Sequence, residues 1–259
     1  MNALIILGLL VVLMLTGMPI SISLGLTVLS FLFFLTEVPI ESVALKLFTG
    51  IEKFEIMAIP FFILAGNFLT HGGVARRMIA FATSMVGHWH GGLGLGGVLA
   101  CAPFAAVSGS SPATVVAIGS ILMPAMVKAG FPKGFGAGVI TTSGALGILI
   151  PPSIVMVMYS VSTNTSVGAL FMAGVIPGLL LAFFLGLTTW YRAKKNNYPC
   201  QPKATWAERW VSFRKAIWGL LLIVVVMGGI YTGIFTPTEA AAMSAVYAFV
   251  VAVFVYKDM

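Results

Sequence analysis

Val107-Ser108-Gly109-Ser110-Ser111-Pro112 and Gly144-Ala145-Leu146-Gly147-Ile148-Leu149-Ile150-Pro151-Pro152-Ser153 decide how this chain is read. Each is a cluster of helix-breaking residues inside an otherwise apolar run. In hydrocarbon an unpaired backbone N–H or C=O is strongly destabilising, so irregular backbone persists only inside protein or beside a cavity. Two breaks within the single stretch Gly92 to Ser160 point to a small polar site inside a membrane protein.

The first break lies between two apolar limbs, Leu93 to Val107 and Ala113 to Val127. Each would reach about 22 Å as a helix, short of a ~30 Å hydrocarbon core. The expectation is a re-entrant helical hairpin over 92–127 with its tip at Ser108 to Pro112. The second break interrupts the span 134–160. Thr163 to Ser166 is a polar turn, and 167–191 is a clean span.

Composition agrees with this class. The 259 residues are 59% hydrophobic and 8% charged, which excludes an ordinary soluble domain. No Asp, Glu, Lys or Arg precedes Glu37 or falls between Arg77 and Lys128 or between Lys133 and Arg192. The fold class is an all-α polytopic membrane protein. Its basic residues sit in connections rather than along one face, so they report orientation in the lipid bilayer and not a nucleic acid. Cys101 and Cys200 have no CxxC or histidine spacing, and two unpaired thiols are expected.

Residues 1–71 read as scaffold spans. Met1 to Leu35 is too long for one crossing, so two spans joined at Thr16-Gly17-Met18-Pro19 are expected. Glu37 to Glu55 is an amphipathic, interfacial segment, followed by a span from Phe54 to Thr70. Segment 72–91, with Arg76, Arg77, His88, Trp89 and His90, is expected to lie along the interface as an amphipathic helix. Residues 192–215 form a basic linker that the positive-inside rule places in the cytoplasm, which puts the N-terminus on the opposite, periplasmic side. Met1 to Leu15 lacks the basic n-region and small-residue cleavage site of a secretory signal and is expected to be a retained helix. Gly219-Leu220-Leu221 through Thr232-Gly233 and Pro237 then repeats the pattern of Gly8-Leu9-Leu10 through Thr16-Gly17 and Pro19. An odd number of crossings in between makes this an inverted repeat. Residues 1–191 are thus a first repeat and 216–259 the first two spans of a second, with its partner hairpin missing.

The chemistry follows from the breaks. The Ser108 to Pro112 tip offers hydroxyls and a helix N-terminus near Ala113, whose dipole favours a carboxylate. Unwound carbonyls near Gly144, Gly147 and Ile150 suit Na⁺, a hard cation. A proline kink with Ser and Gly used only for packing is the alternative. Thr236-Pro237-Thr238-Glu239 fits a capping box; Glu239 as an intramembrane ion ligand is the other reading. Adjacent His88 and His90 with Trp89 suit interfacial anchoring rather than a metal. No Ser-His-Asp set, HExxH or phosphate loop occurs, so no enzyme is expected.

Ala105-Ala106-Val107-Ser108-Gly109-Ser110-Ser111-Pro112-Ala113-Thr114, Gly147-Ile148-Leu149-Ile150-Pro151-Pro152-Ser153 and Gly233-Ile234-Phe235-Thr236-Pro237-Thr238-Glu239-Ala240-Ala241 resemble the large membrane subunit of tripartite ATP-independent periplasmic (TRAP) transporters, the DctM-like permeases. The resemblance covers the whole chain. It implies an elevator-type, inverted-repeat secondary transporter of the bacterial inner membrane, driven by Na⁺ and importing organic anions such as C4-dicarboxylates or sugar acids. It also implies a periplasmic substrate-binding protein and a small four-helix membrane subunit as partners. Carried over by residue, Ser108, Gly109, Ser110, Ser111, Thr114, Pro152 and Ser153 belong to the substrate half-site, and Ser110, Ser111, Gly144, Gly147 and Ile150 to the Na⁺ site. Family members continue through a second hairpin and broken helix, so this chain is expected to be a fragment that does not transport alone. A stand-alone anion carrier and a non-transporting scaffold subunit are the other functions considered.

Overall fold

The structure, a computed structural model, describes residues 2–36 and 39–258. It divides into two compact units, Met1–Lys53 and Phe54–Met259.

In the first unit, α1 (Asn2–Leu15) and α2 (Ile20–Leu35) pack on each other across the expected turn. Gly17 takes the left-handed conformation that ends α1, and Pro19 precedes the first residue of α2. At 14 and 16 residues they run about 21 and 24 Å, less than a full core. By length, neither reaches the single crossing expected of it. Helix α3 (Ile40–Ile51) follows, with Leu45 and Phe48 exposed one turn apart. The Glu37 end of the expected interfacial segment lies outside the described residues.

The second unit opens with a short 3₁₀ turn, Phe54–Met57, and α4 (Ala58–His71), which together are apolar and long enough to cross a membrane. Helix α5 (Val74–Val86) has the expected amphipathic pattern, but it buries Val74, Ala75, Met78, Ile79 and Ala82 against its neighbours α6 (Gly92–Ser108) and α12 (Trp206–Tyr231). Its apolar stripe therefore meets protein. A period of 3.6 residues marks one dry face and does not say whether lipid or protein dries it.

Helix α6 is the centre of this unit. Fourteen of its 17 residues are buried, and it packs against α4, α5, α7, α8, α9, α11 and α12. Small residues make this possible on every face. At Gly96 an added Cβ would sit 3.2 Å from the Thr83 Cα of α5, so the two backbones touch there. Helix α7 (Ser111–Lys128) returns beside α6, giving the expected hairpin. Its limbs are longer than the sequence implied, at 17 and 18 residues, because Ser111 and Pro112 start α7 rather than ending the turn. At about 27 Å, α7 satisfies the length of a crossing. Length alone therefore does not set the hairpin's depth.

The broken span consists of α8 (Lys133–Gly144), α9 (Leu146–Leu149) and α10 (Ile154–Thr163), bent by 42° at the break. Helix α11 (Val167–Lys195) is longer than expected, because Arg192, Lys194 and Lys195 form its last turn. Helix α12 likewise begins at Trp206, so the non-helical connection is 196–205, narrower than the linker read from sequence. Thr205 and Glu208 form a capping box at its start that sequence reading passed over. Helix α13 (Pro237–Val250) ends in a π-helical turn, Val251–Val255. It buries Ala240, Ala241, Ser244, Ala245 and Ala248 and lies along α4. Among the described residues, five helices are long and apolar enough to cross a membrane, or six with the bent pair counted as one span.

Both bonds of the Thr236 capping box are present: Glu239 Oε2 accepts from Thr236 N at 2.8 Å, and Thr236 Oγ1 accepts from Glu239 N at 3.3 Å. Thr236→Ala is expected to lower stability by about 1 kcal/mol, seen as an earlier midpoint in denaturant. An unchanged midpoint would mean that α13 starts independently of this cap. Beyond α13 the chain folds back on α5 and α12. Asp258 pairs with Arg77 at 2.5 Å, the Arg77 guanidinium lies 3.8 Å over the Tyr256 ring, and the Tyr256 hydroxyl donates to Lys215 O. Burial pushes the Tyr256 phenol up to about 12 against the opposing pull of Arg77, so it keeps the proton that this bond needs.

Candidate functional site

The hairpin tip is built from local backbone chemistry. Gly109 adopts φ +59°, the left-handed conformation that glycine tolerates best, and its N–H closes α6 onto Ala105 O at 2.9 Å. Ser110 is extended at the N-cap position of α7 without a side-chain cap bond, and Pro112 sits in the first turn, where a missing N–H is harmless. Thr114 Oγ1 donates to Ser110 O at 2.9 Å. Ser108 Oγ and Thr114 Oγ1 share a 2.8 Å hydrogen bond, and both hydroxyls also reach the Ser110 carbonyl. Both hydroxyls are buried, at 1% and 0% exposure. They fasten the turn.

Two hydrogen bonds carry the tip to the broken span. Ser111 Oγ donates to Gly144 O at 2.6 Å, at the end of α8. Ile154 N, the first residue of α10, donates to Gly109 O at 3.1 Å. Gly147 allows the approach: a Cβ there would lie 3.0 Å from Ser110 C and Ser111 N. Pro152 is buried beside Gly109, its carbonyl oxygen 3.2 Å from where a Gly109 Cβ would stand, and the Pro151-Pro152 bond is cis. The turn between α6 and α7 is thus joined to the start of α10 through the Gly109 carbonyl, and the end of α8 is joined to Ser111 at the start of α7. Helix starts favour negative charge and helix ends positive charge, so the cluster offers both kinds of field at one place.

The residues singled out from sequence divide accordingly. Ser108, Gly109, Ser110, Ser111, Thr114, Gly144, Gly147 and Pro152 share one contact cluster. Ile150 packs on α11, where a Cβ on Gly178 would lie 2.8 Å from its Cγ1 and 3.4 Å from its Cα. Ser153 is wholly buried, and its hydroxyl has no hydrogen-bond partner. The Ser143 hydroxyl is in the same state, and sequence reading missed it by starting the second break one residue late. The signal was the polar run Thr141-Thr142-Ser143 inside an apolar span. Unpaired buried hydroxyls are uncommon and ask for a reason. Among the described residues no three His, Cys, Asp or Glu come together. A cation at this cluster would therefore meet neutral oxygens, chiefly the Ser110 and Ser111 hydroxyls and the Gly144 carbonyl. Such a donor set fits Na⁺ rather than a transition metal.

Comparison with known proteins agrees with this architecture. The chain is 75% identical to the C4-dicarboxylate TRAP transporter large permease protein DctM of Rhodobacter capsulatus, over 100% of this chain and 62% of that protein. It is 54% identical to the protein of the same description from Vibrio cholerae serotype O1, over 95% of this chain and 54% of the relative. It is 43% identical to the isethionate TRAP transporter permease protein DctMQ of Oleidesulfovibrio alaskensis, over 94% and 38%. The chain thus spans 62% or less of the length of these relatives. The family model described as tripartite ATP-independent periplasmic transporter, DctM component, matches residues 7–259. Over nearly its whole length, then, the chain belongs to the DctM family of tripartite ATP-independent periplasmic transporters.

Proposed function

We propose that the chain forms part of the large membrane subunit of a Na⁺-coupled importer of small organic anions, C4-dicarboxylates first among them. The observation that carries this reading is the bond from the α10 start to the hairpin turn at Gly109 O, with the end of α8 bonded beside it to Ser111 at the α7 start. Two helix starts attract a carboxylate without a buried Arg, and the adjoining carbonyl and hydroxyl oxygens suit Na⁺. When bound, Na⁺ supplies positive charge against the substrate carboxylate and the link to an ion gradient. This chain's residues orient both by holding the tip against the break. The hairpin re-enters from the cytoplasmic side in this reading, with 192–215 cytoplasmic and the N-terminus periplasmic in the inner membrane.

Substrate would arrive from a periplasmic binding protein, and a small membrane subunit would brace the scaffold. The combined DctMQ name of one relative supports a second membrane component. The C4-dicarboxylate description of the two nearer relatives supports the substrate class. The test expresses the native locus with its flanking genes in a host lacking dicarboxylate uptake and follows labelled succinate. Uptake that needs both Na⁺ and the binding protein is expected, and vesicles holding residues 1–259 alone should show none. Uptake without the binding protein favours a stand-alone carrier. Absence of uptake under every condition favours a scaffold subunit.

A further inference from the structure

Between α8 and α11 lies an open cleft of about 240 Å³, lined by Gly134, Gly138, Val139, Leu185, Thr188 and Arg192 among others. It exists because α8 places two glycines one turn apart: a Cβ built on Gly134 or Gly138 meets no atom within 4 Å. Three threonines, Thr142, Thr188 and Thr189, also line it. Thr142 Oγ1 donates to Gly138 O at 2.7 Å and Thr188 Oγ1 to Phe184 O at 2.8 Å, so two of the three hydroxyl protons are spent on their own helices. The lining is mostly apolar, with the Thr189 hydroxyl and one cation, Arg192, in the last turn of α11. No carboxylate pairs with Arg192 among the described residues.

Position along α11 adds a second observation. Trp190 and Tyr191 directly precede Arg192, and Lys194 and Lys195 follow it, the order of residues found where a span leaves hydrocarbon for headgroups. One and two turns earlier, Leu187, Phe184 and Phe183 are exposed, as a lipid-facing helix surface requires. A guanidinium matches a phosphate in charge and in bidentate geometry. An apolar trough ending in that cation at headgroup depth is complementary to an amphiphile with an anionic head.

We propose that the α8–α11 cleft binds one anionic phospholipid, its phosphate on Arg192 and an acyl chain along Gly134 and Gly138. The bound chain packs α8, which carries Gly144 to its bond with Ser111, and so ties the lipid to the stability of the hairpin–break junction. The inference does not depend on the transport reading, since binding is measured without substrate, Na⁺ or uptake.

The test titrates the full 259-residue chain in mild detergent with phosphatidylglycerol, phosphatidylcholine of the same acyl chains, and inorganic phosphate. Native mass spectrometry counts retained lipid, and thermal unfolding reports stabilisation. One retained phosphatidylglycerol per chain is expected, with about tenfold preference over phosphatidylcholine and a raised Tm. Gly138→Leu fills the trough while strengthening the helix, so it should lose the lipid without lowering the lipid-free Tm. Arg192→Gln should keep a lipid but lose the preference for the anionic head. Equal retention of both lipids by the unaltered chain overturns the proposal. So does a phosphate effect as large as that of phosphatidylglycerol, or Gly138→Leu retaining lipid as before. A Gly138→Leu chain that loses a dimer instead of a lipid assigns the trough to a second copy and overturns it equally.

Discussion

Gly147→Leu is expected to abolish Na⁺-dependent uptake by the assembled transporter and to destabilise the chain by about 1–3 kcal/mol through overpacking. A Cβ at position 147 would already stand 3.0 Å from two backbone atoms of the hairpin tip, Ser110 C and Ser111 N. Backbone cannot swing aside as the end of a side chain does, so α9 and the tip must separate. That separation stretches the Ser111–Gly144 bond of 2.6 Å and moves the oxygens proposed for Na⁺. A displacement on the order of 1 Å at a positioned site is enough for a loss of about 10²-fold. Gly228→Ala is the matched control, because a Cβ there meets nothing within 4 Å; it should stabilise α12 by about 0.5–1 kcal/mol and leave uptake intact. Normal uptake and an unchanged unfolding midpoint in Gly147→Leu would show that the tip and α9 are not held together as described.

Gly109→Val should have a comparable effect by a different route. At φ +59° a side chain costs about 1–2 kcal/mol by left-handed crowding alone. The new Cβ would also lie 3.2 Å from Pro152 O and 3.4 Å from Ile154 N. With overpacking of about 1–3 kcal/mol added, the total loss is about 2–5 kcal/mol. Gly109→Asn separates the two contributions, since asparagine tolerates the left-handed region but still carries a Cβ. Unfolding midpoints in the order glycine, asparagine, valine are expected, with uptake following the same order. If asparagine proves as harmful as valine, contact with Pro152 and Ile154 dominates. If neither is harmful, the tip does not need the left-handed turn.

Much of the architecture was legible because it depends on chemistry acting over a few residues. The tip could be placed at Ser108 to Pro112 because Gly and Pro interrupt helices wherever they occur in such a pattern. The same holds for the break at Pro151-Pro152 and for the cap at Thr236. Element ends were less legible. Arg192 to Lys195 read as linker because they are charged, yet they continue α11, since a helix that leaves hydrocarbon need not stop at its surface. Segment 72–91 read as interfacial, and its apolar stripe turned out to be covered by α6 and α12.

The membrane class, the two breaks, the capping box and the basic end of α11 were determined by the sequence itself, through backbone conformation and the transfer of charge and apolar surface between water and lipid. Only the tertiary structure decided which hydroxyls are spent and which are offered. Ser108 and Thr114 pair with one another, while Ser111 reaches a carbonyl 33 residues away. The Ile150 side chain packs on Gly178 of α11, while its neighbours Gly147 and Pro152 approach the tip. The Gly- and Ala-rich α6 becomes the centre of the larger unit because small side chains accept neighbours on every face. A hydrogen bond between distant segments depends on how closely their helices pack, and that distance is set by the whole arrangement of side chains rather than by any one stretch.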